Sequence, residues 1–77
     1  MERGEAFAII EEIFRSILDN DELNITEEME LKDIEGFDSI MQISLIGSME
    51  SEFGRRFPLK EMVGITTVQE LVGLVTN

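Results

Sequence analysis

One short stretch, Gly36-Phe37-Asp38-Ser39-Ile40, contains the residues of this sequence that are best placed to do chemistry. A serine at the start of a helix is a common N-cap, because its hydroxyl accepts a backbone N–H bond. The same position lies at the positive end of the helix dipole, which favours a phosphate. The sequence therefore predicts two roles for Ser39: a structural cap, and a hydroxyl that can carry a phosphodiester and that an enzyme can reach.

The composition disfavours other kinds of catalytic site. The 77 residues contain no Cys and no His, so the usual thiolate nucleophile, general base and zinc ligand are missing. Asp38, Glu50 and Glu52 are better explained as surface acids than as a general acid–base pair. We therefore expect no catalytic residues and a protein that is not itself an enzyme.

A calcium site is an alternative for the acidic segment at residues 19–30. This segment begins with Asp19-Asn20-Asp21 and ends at Glu30, which matches the length and several ligand positions of an EF-hand loop. Leu23 and Asn24 stand where that loop needs an oxygen ligand and a glycine. A solvated acidic loop is therefore favoured, and no metal site is expected.

The net charge of −11, from 17 acidic and 6 basic residues, limits the class of partner. Such a surface repels nucleic acid and anionic lipid, and it attracts proteins with basic patches. The sequence has no signal-peptide pattern and no apolar run of membrane-spanning length. We expect a soluble, cytoplasmic and monomeric protein, with a single domain over residues 1–77.

The first half of the chain predicts one helix and a long connection. Over residues 5–18, five apolar side chains recur at helical spacing and form a core face: Phe7, Ile10, Ile13, Phe14 and Ile17. Residues 19–38 are mostly polar, with a helical turn expected near residues 31–34 and a turn at Gly36. Five isolated apolar residues are expected to hold this connection on the core: Leu23, Ile25, Met29, Leu31 and Ile34.

The second predicted helix, residues 39–53, has two distinguishable faces. Four apolar residues fall within one wedge and form the expected core face: Leu45, Ile46, Met49 and Phe53. Ile40 and Ile43 lie outside that wedge, on a flank that also contains Gly47. We predict that both isoleucines are at least partly exposed and form the apolar centre of a docking surface, rather than ordinary surface exposure.

The last third of the chain predicts two shorter helices. Gly54 fits the position that follows the second helix, where a left-handed residue is common. Pro58 opens a short helix over residues 58–63. Thr67 and Glu70 match a capping box for the last helix. The apolar residues of that helix follow at helical spacing: Val68, Leu71, Val72 and Val75.

Taken together, these features resemble a stand-alone acyl carrier protein over nearly the full length of the chain. The resemblance rests on the first helix, the long loop, Gly36-Phe37-Asp38-Ser39-Ile40, and the helix that runs to Glu50-Ser51-Glu52-Phe53-Gly54. It continues through the short third helix to Thr66-Thr67-Val68-Gln69-Glu70-Leu71. The resemblance implies an all-α, four-helix bundle with a long first loop and a short third helix.

The same resemblance implies a prosthetic group and a set of partners. In this family a phosphopantetheinyl transferase uses coenzyme A to place 4′-phosphopantetheine on the serine after the aspartate. Ser39 would be the attachment residue, and Asp38 would help the transferase and its magnesium to engage. The arm would hold acyl or aminoacyl groups as thioesters for acyl-activating and acyl-transferring enzymes with basic docking patches. The expected docking residues are Ile40, Ile43, Gly47 and Glu50.

Three features depart from the family members that serve fatty acid synthesis. Those carriers usually crowd acidic residues after the serine, whereas several of these positions are Met41, Ser44 and Ser51 here. Gly47 stands where a methionine is often found, and the aromatic Phe37 precedes the Asp-Ser pair. These departures favour a specialised pathway, peptidyl-type carriers included. The alternative from another class is a small helical interaction domain without a prosthetic group, in which Ser39 is only a cap.

Overall fold

The computed structural model describes residues 1–76, and within this range the chain forms four α-helices and one 3₁₀ turn. The helices are α1, Arg3–Ile17; α2, Ser39–Phe53; α3, Leu59–Met62; and α4, Val68–Thr76; the 3₁₀ turn is Leu31–Asp33. The predicted all-α, four-helix fold is confirmed, and α1 packs against both α2 and α4. The largest shift from a predicted boundary is at α1, which begins at Arg3 rather than Glu5.

The core consists mainly of side chains that helical spacing predicted. In α1 the buried residues are Ala6, Ile10, Ile13 and Phe14. Phe7 and Ile17 were predicted for the same face and are partly buried at its edge. In α2 the buried residues are Leu45 and Met49, with Ile46 and Phe53 partly buried beside them. In α4 they are Val68, Leu71 and Val72. Burial of these faces is the main favourable contribution to folding.

The first loop, residues 18–38, is held on the core by isolated apolar side chains. Ile25, Leu31 and Ile34 are buried, and Leu23 and Met29 pack against the core from its edge. The prediction that these residues fix the loop is confirmed, as is the helical turn near residues 31–34. The loop therefore follows a defined path to α2.

Polar contacts with α1 fix the beginning of this loop. Arg15 donates from Nε to the carbonyl oxygen of Leu23 at 2.7 Å and from Nη2 to Oδ1 of Asn24 at 3.1 Å. Glu11 Oε2 accepts the N–H of Ile25 at 3.0 Å. Arg15 and Glu11 are themselves paired at 3.4 Å and are both partly buried, so these two side chains of α1 satisfy polar groups of the loop where it lies against the helix.

The other end of the loop is tied to the start of α4. The N–H of Leu31 donates to the carbonyl oxygen of Thr66 at 2.9 Å, and the N–H of Val68 donates to that of Met29 at 3.0 Å. These two bonds form an isolated antiparallel bridge. The segment between α3 and α4 is therefore brought next to the chain that leads into α2.

Candidate functional site

Asp38 and Ser39 lie at the start of α2, but the capping role differs from the one predicted. Asp38 has the extended backbone of an N-cap residue, with φ −143° and ψ −172°, and its Oδ1 accepts the N–H of Met41 at 2.9 Å. Ser39 is the first helical residue, so the prediction that Ser39 is the cap was wrong. Asp and Ser are similarly good caps, but a carboxylate also interacts favourably with the positive end of the helix.

The Ser39 hydroxyl is therefore not the side-chain acceptor that caps α2. Ser39 is exposed to solvent. As the first residue of α2, it stands at the helix end where the N–H groups of the first residues have no intrahelical partner and favour phosphate oxygens. The site therefore offers an accessible oxygen in an environment that accepts a phosphodiester.

The chain reaches this position through a turn that requires glycine. Gly36 has a φ of +87°, a value that L side chains rarely adopt, so the turn predicted there is confirmed. The N–H of Phe37 donates to the carbonyl oxygen of Ile34 at 3.0 Å. The Phe37 ring packs edge-to-face on Phe14 of α1, with centroids 5.4 Å apart. This contact anchors the residue that precedes the Asp-Ser pair.

A cavity of about 400 Å³ opens beside Ser39, where the first loop, α2 and the segment after α3 meet. The apolar residues in its wall are Leu31, Phe37, Val63 and Ile65. The polar residues are Glu30, Lys32, Asp38, Gln42 and Thr66. Apolar surface and hydrogen-bonding groups lie side by side in this wall. Ser39 itself also lines this cavity.

One wall residue, Thr66, is fixed by Glu70 at the start of α4. Glu70 Oε1 accepts the N–H and the hydroxyl of Thr66 at 3.1 and 2.9 Å, and both groups of Thr67 at 3.0 Å. The N–H of Glu70 donates to Thr67 Oγ1 at 3.3 Å, so the predicted capping box is confirmed. The hydrogen bonds that Glu70 accepts from Thr66 and Thr67 hold its pKa below the ordinary value of 4.5. The bond from the Thr66 N–H has the largest effect.

The exposed flank of α2 follows directly from Ser39. Ile40 and Ile43 are each 69% exposed, whereas Leu45 and Met49 are fully buried. Gly47 is also exposed, and a Cβ atom there would meet open space. The predicted exposure of the two isoleucines is confirmed, and their role in docking stays a prediction.

Glu50 has a structural role that the sequence did not predict. Its Oε2 accepts the N–H of Phe57 at 2.9 Å and lies 4.0 Å from Nε of Arg56. Phe57 is buried, so this bond fixes the chain as it turns from α2 towards α3. Gly54 ends α2 with φ +64° and ψ +31°, the left-handed conformation expected there. The Glu50 carboxylate is thus only partly available to a partner.

The acidic segment at residues 19–30 is held in place by contacts with α1. Its backbone contacts run to Arg15 and Glu11, as described above. Over residues 1–76, no three acidic side chains are grouped so that they could hold a metal ion. In the same range, none of the helices has the length and apolar character needed to cross a membrane.

Comparison with known proteins addresses the family directly. The family model described as phosphopantetheine attachment site matches residues 8–75. A curated acyl carrier protein of Rubrobacter xylanophilus is 36% identical over 77 residues, which cover 100% of this chain and 95% of the relative. Acyl carrier proteins of Saccharopolyspora erythraea and Thermotoga maritima are each 34% identical. The alignment with the Saccharopolyspora erythraea protein covers 100% of this chain and 81% of the relative. The alignment with the Thermotoga maritima protein covers 95% of this chain and 90% of the relative.

The chain belongs to the acyl carrier protein family. It is therefore a carrier rather than an enzyme, and it bears covalently attached 4′-phosphopantetheine. This group supplies the thiol that a chain without Cys lacks. The partners of such a carrier are a phosphopantetheinyl transferase and acyl-handling enzymes. The comparisons favour this function over an interaction domain without a prosthetic group.

Besides the role of Glu50, sequence reasoning missed two features of the site. It did not separate the roles of Asp38 and Ser39, because capping preferences alone do not distinguish adjacent Asp and Ser residues. It also did not place Val63 and Thr66 beside Ser39. These residues lie far along the chain, and no local pattern indicates their proximity.

Proposed function

We propose that this carrier holds acyl groups as thioesters on a 4′-phosphopantetheine arm attached to Ser39 and presents them to partner enzymes. One observation carries the assignment: Asp38 makes the cap bond to Met41, which leaves the exposed Ser39 hydroxyl for a phosphodiester. The N–H groups of the first turn and the helix dipole favour a phosphate there. The tether raises the effective concentration of the acyl group at a partner's active site.

Asp38 is proposed to help the phosphopantetheinyl transferase and its magnesium to engage. The cap bond uses Oδ1 of this exposed side chain and leaves Oδ2 for a partner. Mg²⁺ is usually bound by one or two carboxylates together with substrate phosphates, which coenzyme A provides. In the transfer, the Ser39 oxygen forms the new bond to phosphorus and the hydroxyl gives up its proton to the transferase, while the phosphoanhydride bond of coenzyme A breaks and adenosine 3′,5′-bisphosphate leaves with the bonding electron pair.

Partner enzymes are proposed to dock on the flank of α2 that follows Ser39. Ile40 and Ile43 offer exposed apolar surface, and Gly47 allows close approach because it has no side chain. Glu50 Oε2 accepts the N–H of Phe57, and the remaining oxygen of the carboxylate adds negative charge at the rim of this docking surface. The net charge of −11 attracts basic patches on acyl-activating and acyl-transferring enzymes.

A specialised pathway is proposed as the source of the cargo. Residues 39–49 contain no ionisable side chain, so the start of α2 lacks the acidic character of carriers for fatty acid synthesis. Phe37 before the Asp-Ser pair supports the same assignment. A cytoplasmic location is proposed as well. We also propose a monomer, because a charge of −11 on a small surface opposes self-association.

Intact-mass spectrometry after co-expression with a phosphopantetheinyl transferase tests the attachment. The wild-type protein should gain the mass of one phosphopantetheine, and Ser39→Ala should gain none. Ser44→Ala is the matched control, because Ser44 is an exposed serine on the same helix. Circular dichroism checks that Ser39→Ala is folded, as expected while Asp38 keeps the cap. A mass gain in Ser39→Ala would show that the assigned residue is wrong.

A further inference from the structure

We infer that the partner surface that receives this carrier is apolar and uncharged where it covers residues 40–49 of α2 and Val63, with a basic strip on the side that faces the first loop. The inference rests on the proposed docking beside Ser39 and specifies the chemistry of the partner there. It follows from the positions of two kinds of surface in this chain: exposed apolar side chains lie at the start of α2 and at Val63, whereas acidic side chains are concentrated in the first loop.

The contact area consists of three exposed apolar side chains, Ile40, Ile43 and Val63, which we call the apolar patch. Ile40 and Ile43 are each 69% exposed, and Val63 is 68% exposed. Ile40 and Ile43 lie in the first two turns of α2, and the first residue of that helix, Ser39, lines the same cavity as Val63. Single exposed apolar residues are ordinary, but a group of them beside an attachment site is typical of an interaction surface.

The part of α2 that adjoins this patch carries no charge. Residues 39–49 contain no ionisable side chain, although the chain as a whole has a net charge of −11. The next acid, Glu50, directs its carboxylate to the N–H of Phe57 at 2.9 Å. A partner Lys or Arg placed over residues 43–49, away from Asp38 at the cap, would lose hydration without gaining a counter-charge. An uncharged apolar surface therefore fits this area best.

The negative charge is concentrated in the first loop instead. Residues 19–38 contain nine acidic residues and one basic residue, Lys32. Asp33 and Glu35 are exposed and lie in the part of the loop that leads to Ser39. The Debye length is about 8 Å at physiological ionic strength, so charges next to the contact area act on a docked partner more than remote ones. A basic strip that faces this side of the patch would speed association.

Two pairs of substitutions with the same change in charge test this arrangement. The loop pair is Asp33→Asn with Glu35→Gln, and the helix pair is Glu52→Gln with Glu61→Gln; all four residues are exposed. The probe is a broad-specificity phosphopantetheinyl transferase with coenzyme A, and kcat/KM is measured against NaCl concentration. The loop pair should lower kcat/KM about threefold at about 20 mM NaCl, and the effect should disappear near about 0.5 M. The helix pair should change it by less than about 1.5-fold at either concentration.

A third variant, Ile43→Ser, tests the apolar patch. It should lower kcat/KM about fivefold at both salt concentrations, because apolar anchors contribute to affinity without ionic screening. Met1→Ser is the control, since Met1 is 61% exposed and lies outside the patch. Thermal melts should show little change for either variant.

Two results would overturn the inference: a helix pair as damaging as the loop pair, or an Ile43→Ser variant that behaves like Met1→Ser. Neither result affects the assignment of Ser39, because that assignment depends on which variant gains mass. If wild-type protein gains no mass, or Ser39→Ala does, the proposed function itself fails and not only the docking chemistry.

Discussion

Removing the Asp38 carboxylate is expected to destabilise α2, whereas removing the Ser39 hydroxyl is not. Asp38 Oδ1 lies 2.9 Å from the Met41 nitrogen and is the observed side-chain cap of this helix. Loss of an N-cap costs ~0.5–2 kcal/mol. Loss of a negative charge at the positive end of a helix costs a further ~0.3–1 kcal/mol. Both losses apply to Asp38→Ala, and neither applies to Ser39→Ala.

One effect of opposite sign reduces the expected difference. Removing an acid from a chain with a net charge of −11 relieves some repulsion in the folded state. We therefore expect Asp38→Ala to lower the free energy of unfolding by about 1.5 kcal/mol, and Ser39→Ala by less than about 0.5 kcal/mol. In a domain of this size ~1 kcal/mol corresponds to ~4–8 °C, so Asp38→Ala should lower Tm by about 6–12 °C.

Urea denaturation of the unmodified proteins, followed by circular dichroism, measures these differences. Asp38→Asn is the control, because it keeps an oxygen that can accept the Met41 N–H and removes only the charge. Its loss should lie between those of the two alanine variants. If Ser39→Ala is as destabilising as Asp38→Ala, Ser39 contributes to the cap and its hydroxyl is not free as argued.

Two further predictions concern carboxylates that support the site. Glu50→Ala should lower the free energy of unfolding by about 1 kcal/mol, because the N–H of buried Phe57 loses its acceptor, and Glu50→Gln should keep most of the stability in urea melts. Equal stability of Glu50→Ala and wild type would refute that role. Because hydrogen bonds lower the folded-state pKa of Glu70, they stabilise the protein above the ordinary value of 4.5, and this contribution is lost as the pH falls through the folded-state pKa. The Tm of Glu70→Gln should therefore fall less than that of the wild type when the pH is lowered from about 5 to about 3. Equal decreases in Tm would contradict this linkage.

The helices and their core faces could be predicted from local sequence. Ile10 and Phe14 in α1, and Leu45 and Met49 in α2, recur at helical spacing, and all four are buried. The same spacing left Ile40 and Ile43 outside the core face of α2, and both are exposed. A helix has a fixed periodicity, so the pattern of residues along it largely determines which side chains can face a common core.

The path of the first loop was also accessible from sequence, although less directly. Ile25, Leu31 and Ile34 are isolated apolar residues in a polar stretch, and burial on the core is favourable for them. All three are buried. Gly36 predicted a turn because glycine adopts positive φ without steric cost. The contacts of Arg15 with this loop depended on its folded path and were not predicted.

The sequence by itself determined the helical order, the core faces, the acidic charge and the Asp-Ser pair from which the family resemblance was drawn. The tertiary structure decided that Asp38 rather than Ser39 caps α2, that Glu50 bonds the chain after α2, and that Val63 lies beside Ser39. The physical reason is that helical periodicity acts between near neighbours. A choice between two adjacent caps depends on backbone angles and on the atoms within reach, and a cavity wall depends on residues distant in the chain. Both are settled only when the elements pack together.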